Sequence, residues 1–299
     1  MAGKEHGSNY LAVAVGGLFL LSIAIIAAYS LFPSEGCIGV VEISGPLATQ
    51  DIPASLFTDE QKGSQTMASE INEAGGRDDV RAVLLLIDSP GGSVIASQEV
   101  YEAVHALNKT SVSFIREMAA SGGYYAAAGT SYIVANPDAL TGSIGARATL
   151  SDYSGLMGKL GINATTIATG GLKDMGSPER PMSEKERAVW QSIVNESFLT
   201  FRAAVEEGRK GRLDKAGFEE VLDARILTGR QAKKIGLVDE LGNKEAAVAA
   251  AARLSGMKGE PRLCEISAGA RRGTLFGSLS AQALQAFLQA AGGFHVSYN

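Results

Sequence analysis

Residues 81–87 read Arg-Ala-Val-Leu-Leu-Leu-Ile and end abruptly in Asp88-Ser89-Pro90-Gly91-Gly92. An uninterrupted apolar run of strand length has no polar face to turn to water, so it must be buried on both sides. That requirement selects a sheet covered by helices front and back. The flanking segments fit. Residues 37–47 (CIGVVEISGPL) are β-branched and alternating, and residues 64–74 read as a helix that stops at Gly75-Gly76. A helix over residues 93–107 follows, with Val94, Val100, Val104 and Leu107 apolar near helical period, then a strand at 111–116. A short Gly/Ala helix opens at Ser121, and residues 131–135 form another strand. Strands alternating with helices predict parallel βαβ crossovers and an α/β fold. Further on, residues 183–208 form the best helix of the chain. Ser183 and Glu186 make a capping box, and Ala188, Ile193, Phe198 and Phe201 serve as inward anchors. Two more helices flank residues 236–239. No internal repeat is visible.

Glycine is abundant, 36 in 299 residues against a usual ~7%. Three Gly-containing loops follow successive strands: residues 88–92 (DSPGG), 119–125 (AASGGYY) and 141–145 (TGSIG). In α/β sheets ligands bind beyond the carboxyl ends of strands, so these loops converge on one candidate site. Acyl transfer needs a nucleophile, a base and donors for an oxyanion. Ser121 begins a helix, whose free first-turn N–H groups and positive dipole end lie beside the attacking oxygen. The Gly122 N–H can hold the oxyanion, and Gly91 or Gly92 can supply a second donor. An S-G-G turn by itself is more often a plain helix cap.

The base is approached by elimination. The histidines are His6, His105 and His295, and none sits in a strand-end loop, which argues against a Ser-His-Asp arrangement. A lysine replaces histidine only when neutral, which burial without a carboxylate partner achieves. Lys173, in the Gly-rich stretch 169–178 (TGGLKDMGSP), is the candidate, although most lysines are simply solvated. Asp174 must point away for this reading to hold, since a close carboxylate keeps the ammonium charged.

Residues 11–32 (LAVAVGGLFLLSIAIIAAYSLF) carry no charge and suffice to cross a ~30 Å hydrocarbon core as one helix. The run is longer than a signal-peptide core and lacks a convincing cleavage site. Lys4 precedes it, whereas Glu35, Glu42 and Asp51 follow with no Lys or Arg before Lys62, so residues 1–10 are expected in the cytoplasm and the main domain outside. Net charge is −5, which gives no footprint for nucleic acid. Cys37 and Cys264 make neither a disulfide framework nor a zinc site; the two can pair outside the cell or remain free buried thiols. Residues 275–291, apolar on one side and too short to span a bilayer, read as a packing or subunit-contact helix.

Five blocks in order, DSPGG (88–92), MAASGGYY (118–125), TGSIG (141–145), KDMGSPER (173–180) and RILTGRQAKKIGLVDELG (225–242), closely resemble the signal peptide peptidase A family, serine proteases of the ClpP/crotonase superfold. The resemblance spans about residues 37–254, in the short form with one copy of the catalytic domain. It implies a spiral of βαβ units over residues 37–260, with 261–299 as a C-terminal extension. It implies Ser121 as nucleophile, Lys173 as general base and Ser143 as the residue orienting the lysine amine, with no cofactor and no metal. Also implied is a ring or dome of protomers with a groove for extended peptides, in which serine and lysine of one site can come from neighbouring chains. Ala146 and Arg147 depart from the family, where a β-branched residue is more usual, and this touches the groove wall. Competing expectations are a related membrane-bound ClpP-class protease acting on stomatin-like partners, a crotonase-type acyl-CoA enzyme, and an inactive scaffold. Substrates expected for the leading reading are remnant signal peptides and other extended apolar peptides.

Overall fold

The apolar run forms the heart of β2 (Val80–Ser89), the second strand of an eight-stranded sheet. The computed structural model describes residues 36–54 and 60–266. β2 lies between β1 (Cys37–Ser44) and β3 (Thr110–Ala120), parallel to both. On one face Val83, Leu85 and Ile87 join Val41, Ile43 and Ile115 in the main core; on the other Ala82, Leu84, Val112 and Phe114 form a second core. Burial of both sets explains why β2 shows no alternation.

Helices α1 (Ser64–Gly76), α2 (Val94–His105) and α3 (Gly122–Ala128) supply main-core residues, among them Met67, Ile71, Val100, Val104 and Tyr124. β3 forks: its first half pairs with β4 (Tyr132–Ala135) and its last residues with β5 (Leu140–Gly142), to which β6 (Ile226–Thr228) adds antiparallel. After the short α4 (Ser154–Lys159) comes α5 (Glu184–Gly208), whose capping box of Ser183 and Glu186 is present as its sequence predicts. α6 (Lys215–Glu220), α7 (Gly229–Lys234) and β7 (Glu240–Leu241) lead to α8 (Lys244–Leu254), whose Ala247, Ala250 and Ala251 close the second core. β8 (Arg262–Glu265) pairs with β1, and a Cys37–Cys264 disulfide joins the two strands, with Cα atoms 5.9 Å apart. The pairing reading of the cysteines is therefore the one realised.

The sequence expectation for α5 needs correction. Phe201, Ala204 and Val205 are buried, but Ile193 is exposed, as is Ala188. Only the C-terminal half of α5 meets the body; the N-terminal half and α4, which buries no residue at all, project from it. Residues 11–32 and 275–291 lie outside the described residues. Among the described residues no helix is long and apolar enough to cross a membrane.

Candidate functional site

Three residues other than glycine have positive φ among the described residues: Ser121 at 51°, Ser143 at 52° and Ala224 at 64°. All three line one cleft of about 590 Å³ at the carboxyl ends of β2, β3 and β5. Such backbone conformations cost energy and persist only where the surroundings enforce them, and they concentrate at functional sites. Here the enforcement is visible. The Ser121 N–H donates to Gly142 O at 2.9 Å, and the Ser143 N–H donates to Arg225 O at 3.0 Å. Ser121 stands immediately before α3 with its side chain making no capping bond, so the hydroxyl is not consumed by the helix.

The glycines around Ser121 are there because chains pack backbone to backbone. A Cβ on Gly91, at φ 87°, would come within 2.4 Å of Gly122 N. One on Gly123 would approach Ser89 O to 2.6 Å. Ser89 ties the turn down, donating through Oγ to Gly45 O at 2.6 Å and accepting from Gly91 N at 3.1 Å. Gly91 thus already has an acceptor for its N–H, whereas the Gly122 N–H belongs to the first turn of α3, where no intrahelical acceptor exists. Gly91, Gly92, Gly122, Ser121 and Ser143, all singled out from sequence, face this one cleft. Ala146 and Arg147 line it as well, in agreement with their expected place in its wall.

Sequence reasoning missed Tyr125, Ser197 and Phe201 in the lining. Phe201 stacks on Tyr125, ring centroids 4.6 Å apart, and forms an apolar floor with it. A signal existed: Ser197 and Phe201 are i,i+4 on α5, on one face of the helix. Behind the cleft α3 is locked in place. The Tyr124 hydroxyl donates to Leu237 O at 2.7 Å, and the fully buried Arg209 makes a two-pronged pair with Asp239, Nη1 to Oδ2 2.7 Å and Nη2 to Oδ1 2.8 Å.

Lys173 is elsewhere. It is exposed, in a turn of the projecting arm formed by residues 148–182 and the first half of α5, and it is not among the residues lining the Ser121 cleft. The Asp174 carboxylate is engaged by another cation: it accepts from Arg180 Nε at 3.0 Å. The arm exposes Tyr153, Leu156, Leu160, Ile162, Ile167 and Ile193, with Ile167 at 96%. Apolar exposure concentrated on one projecting element marks an interaction surface. His105, the only described histidine, stacks on Tyr101 at the end of α2, away from the cleft.

A strained serine before a helix N-terminus, a free backbone donor beside it and an apolar-floored groove can carry out acyl transfer. Comparison with known proteins agrees. The signature of Peptidase family S49 matches residues 103–258. The chain is 38% identical over 224 residues to a putative protease of Methanocaldococcus jannaschii, covering 74% of this chain and 71% of that one. It is 36% identical over 198 residues to a putative signal peptide peptidase SppA of Enterococcus faecium, covering 65% of this chain and 57% of the relative. Protease 4 of Salmonella typhi is 32% identical over 75% of this chain, but the match spans only 35% of that longer protein. Among solved structures, a membrane-bound stomatin-specific protease superposes with a TM-score of 0.50 at 14% identity, covering 78% of this chain and 99% of that one; this is a likeness of fold.

Proposed function

Because the chain belongs to Peptidase family S49 and is an SppA-family serine protease, we propose that Ser121 is its nucleophile, Lys173 its general base and Ser143 the residue that orients the lysine amine. The observation that carries this reading is Ser121 itself, held at positive φ in a cleft directly before the Gly122 N–H. Attack by Oγ on a peptide carbonyl forms a tetrahedral oxyanion at the start of α3, where the Gly122 N–H and the helix dipole stabilise it. Gly92 is the candidate for the second donor, since the Gly91 N–H is taken up by Ser89 Oγ. The amine of Lys173 takes the serine proton and returns it to the leaving nitrogen, and water then hydrolyses the acyl-enzyme by the same route in reverse.

The exposure of Lys173, its absence from the cleft lining and the apolar arm that carries it support a site shared between protomers of a ring or dome. In that arrangement one chain supplies Ser121 and Ser143, and a neighbour's arm delivers Lys173. Seven strands and their crossovers fit a ClpP/crotonase-like spiral over residues 37–260, and β8, at the start of the extension 261–299, adds to the same sheet beside β1. Residues 11–32 anchor the domain to the membrane from a cytoplasmic N-terminus. The Cys37–Cys264 disulfide favours the oxidising side of that membrane for the domain. Substrates are remnant signal peptides and other extended apolar peptides. Their backbones pair along the groove as an added strand, and small or aliphatic side chains settle against Tyr125 and Phe201.

The decisive experiment mixes two dead proteins. Ser121→Ala and Lys173→Ala each abolish cleavage of a long apolar peptide, and a serine-directed acylating probe labels wild type but not Ser121→Ala. Co-expressed, the two variants recover activity, since some contacts pair an intact serine with an intact lysine. No recovery from demonstrably mixed oligomers retires the shared site, and substantial turnover by Ser121→Ala alone retires the protease chemistry assigned to that residue.

A further inference from the structure

The arm places two opposite charges side by side, Lys173 and Asp174, in a loop whose proposed task requires the lysine to lose its charge. A carboxylate within ~4–6 Å of an amine raises its pKa by about 1–3 units, enough to keep a lysine base protonated. What prevents this is written in the hydrogen bonds of Arg180. Its Nε donates to Asp174 Oδ2 at 3.0 Å and its Nη2 to the Asp174 main-chain oxygen at 2.9 Å, fixing side chain and backbone together. Its Nη1 donates to Glu186 Oε2 at 3.0 Å and Pro181 O at 3.3 Å, and Nη2 also donates to Glu186 Oε1, so every N–H of the guanidinium has a partner. Glu186 in turn accepts from Ser183 N at 2.8 Å and Ser183 Oγ at 2.9 Å within the capping box of α5. A continuous chain of contacts runs from the start of α5 through Glu186 and Arg180 to the residue next to Lys173.

Of the other charged groups near this loop, Asp152, Arg187 and Glu184 are engaged elsewhere, and Glu179 is open to solvent. Asp152, from the segment before α4, accepts from Ser154 N and Oγ at 2.9 and 2.6 Å. On α5, Arg187 lies 3.8 Å from Glu184, and on the loop itself Glu179 is exposed. Asp174 is the carboxylate next to Lys173 in the chain, and Arg180 is the cation that occupies it.

Building on Lys173 as the base, we propose that Arg180 is a positioning residue: it turns the Asp174 carboxylate away from the Lys173 amine and pins the loop to α5, so that the amine reaches the serine uncharged. The role needs a planar fork able to hold a side-chain carboxylate, a main-chain carbonyl and a second carboxylate at once, which an ammonium cannot reproduce.

The test measures kcat/KM against pH on an apolar fluorogenic peptide, using the full-length oligomer. Lys173→Ala comes first; if it remains active, the base assignment itself fails. With that variant silent, Arg180→Met frees Asp174, and the midpoint of the rising limb moves up by about one unit, a roughly tenfold lower rate on its acid side. Arg180→Met/Asp174→Asn returns the midpoint to the wild-type position, whereas a merely structural arginine would give a loss that the second change does not repair and a midpoint that never moves. Asp174→Asn alone, the variant to rely on if Arg180→Met fails to assemble, leaves the midpoint within about 0.3 unit, because the Asp174 carboxylate is already held by Arg180 in the native loop. A midpoint unmoved in Arg180→Met, or one that falls by a full unit in Asp174→Asn alone, overturns the inference.

Discussion

Replacing Gly91 by alanine tests the oxyanion geometry from the backbone side. At φ 87° the new Cβ would lie 2.4 Å from Gly122 N, 2.9 Å from Ala120 O and 3.0 Å from Ser121 Cβ. Ordinary van der Waals contact begins at 3.4 Å, so about 1 Å of separation must open between Gly91 and the turn carrying Ser121. The two nearest atoms are main chain and the third is the Ser121 Cβ, so no flexible side-chain end can absorb the overlap. The left-handed conformation adds about 1 kcal/mol for any residue with a Cβ. A displacement of about 1 Å at a reacting centre costs on the order of 10²-fold in rate, and loss of one oxyanion donor costs about 10²–10³ in kcat. The expected result is a fall in kcat of about 10²-fold, or roughly 2.7 kcal/mol in the barrier, with KM changed far less. Steady-state kinetics on an apolar peptide measures it, with thermal unfolding run alongside. Gly76→Ala at the end of α1, where an added Cβ meets nothing within 4 Å, is the control and keeps wild-type kinetics. If Gly91→Ala keeps kcat within about threefold of wild type with an unchanged melting temperature, the Gly122 N–H is not the oxyanion donor.

Arg209→Met leaves Asp239 with only the half-exposed Arg212 at 3.5 Å and the Ile133 N–H, and is expected to destabilise the fold by up to about 3 kcal/mol, read from chemical denaturation. Removing the disulfide as Cys37→Ser/Cys264→Ser, which frees a separation of 227 residues, lowers stability by up to about 5 kcal/mol; an unchanged denaturation midpoint would mean that β8 is held without it. The Arg180 guanidinium, and after it the Ser183 N–H, hold the Glu186 carboxyl down at about 2. With the folded value depressed, the stability this contributes is present above the ordinary carboxylate range and disappears as pH falls through about 2. Limited proteolysis of the arm against pH should show that acid loosening in wild type, and Glu186→Gln should remove its pH dependence.

The body of the fold was legible because each of its decisions is local. The RAVLLLI run announces a strand buried on both faces, Ser93 and Ser183 announce helix starts, and both serines are N-caps in the structure. The loops after the strands, and Ser121, Ser143 and the glycines within them, gather at one cleft because parallel strands bring their carboxyl ends together. The short strands β5 to β8 escaped notice, since two to four residues carry too little pattern to show a period. The misjudged half of α5 is more instructive. Ile193 falls on an apolar helical stripe, and a stripe says that something will cover it without saying what. In the described chain nothing does. Arg180 was hidden for another reason: its six-residue spacing from both Asp174 and Glu186 matches no helical or strand neighbour rule.

The two halves of the proposed machinery are held by opposite means. Ser121 stands at the start of α3, whose Tyr124 and whose neighbour Arg209 are buried and hydrogen-bonded, so the proposed nucleophile is fixed by the body of each protomer alone. Lys173 sits on an arm whose α4 buries nothing and whose order rests on half-exposed hydrogen bonds around Arg180. Elements with few buried apolar contacts open at low free energy. On the shared-site reading, docking the arm against a neighbour would bury its apolar residues and immobilise the lysine in the same event. A protease built this way remains inert as a free protomer and becomes competent as it assembles, which confines peptide hydrolysis to the oligomer. The physical consequence is that dilution should lower activity more steeply than first order in protein, without loss of the body's own stability.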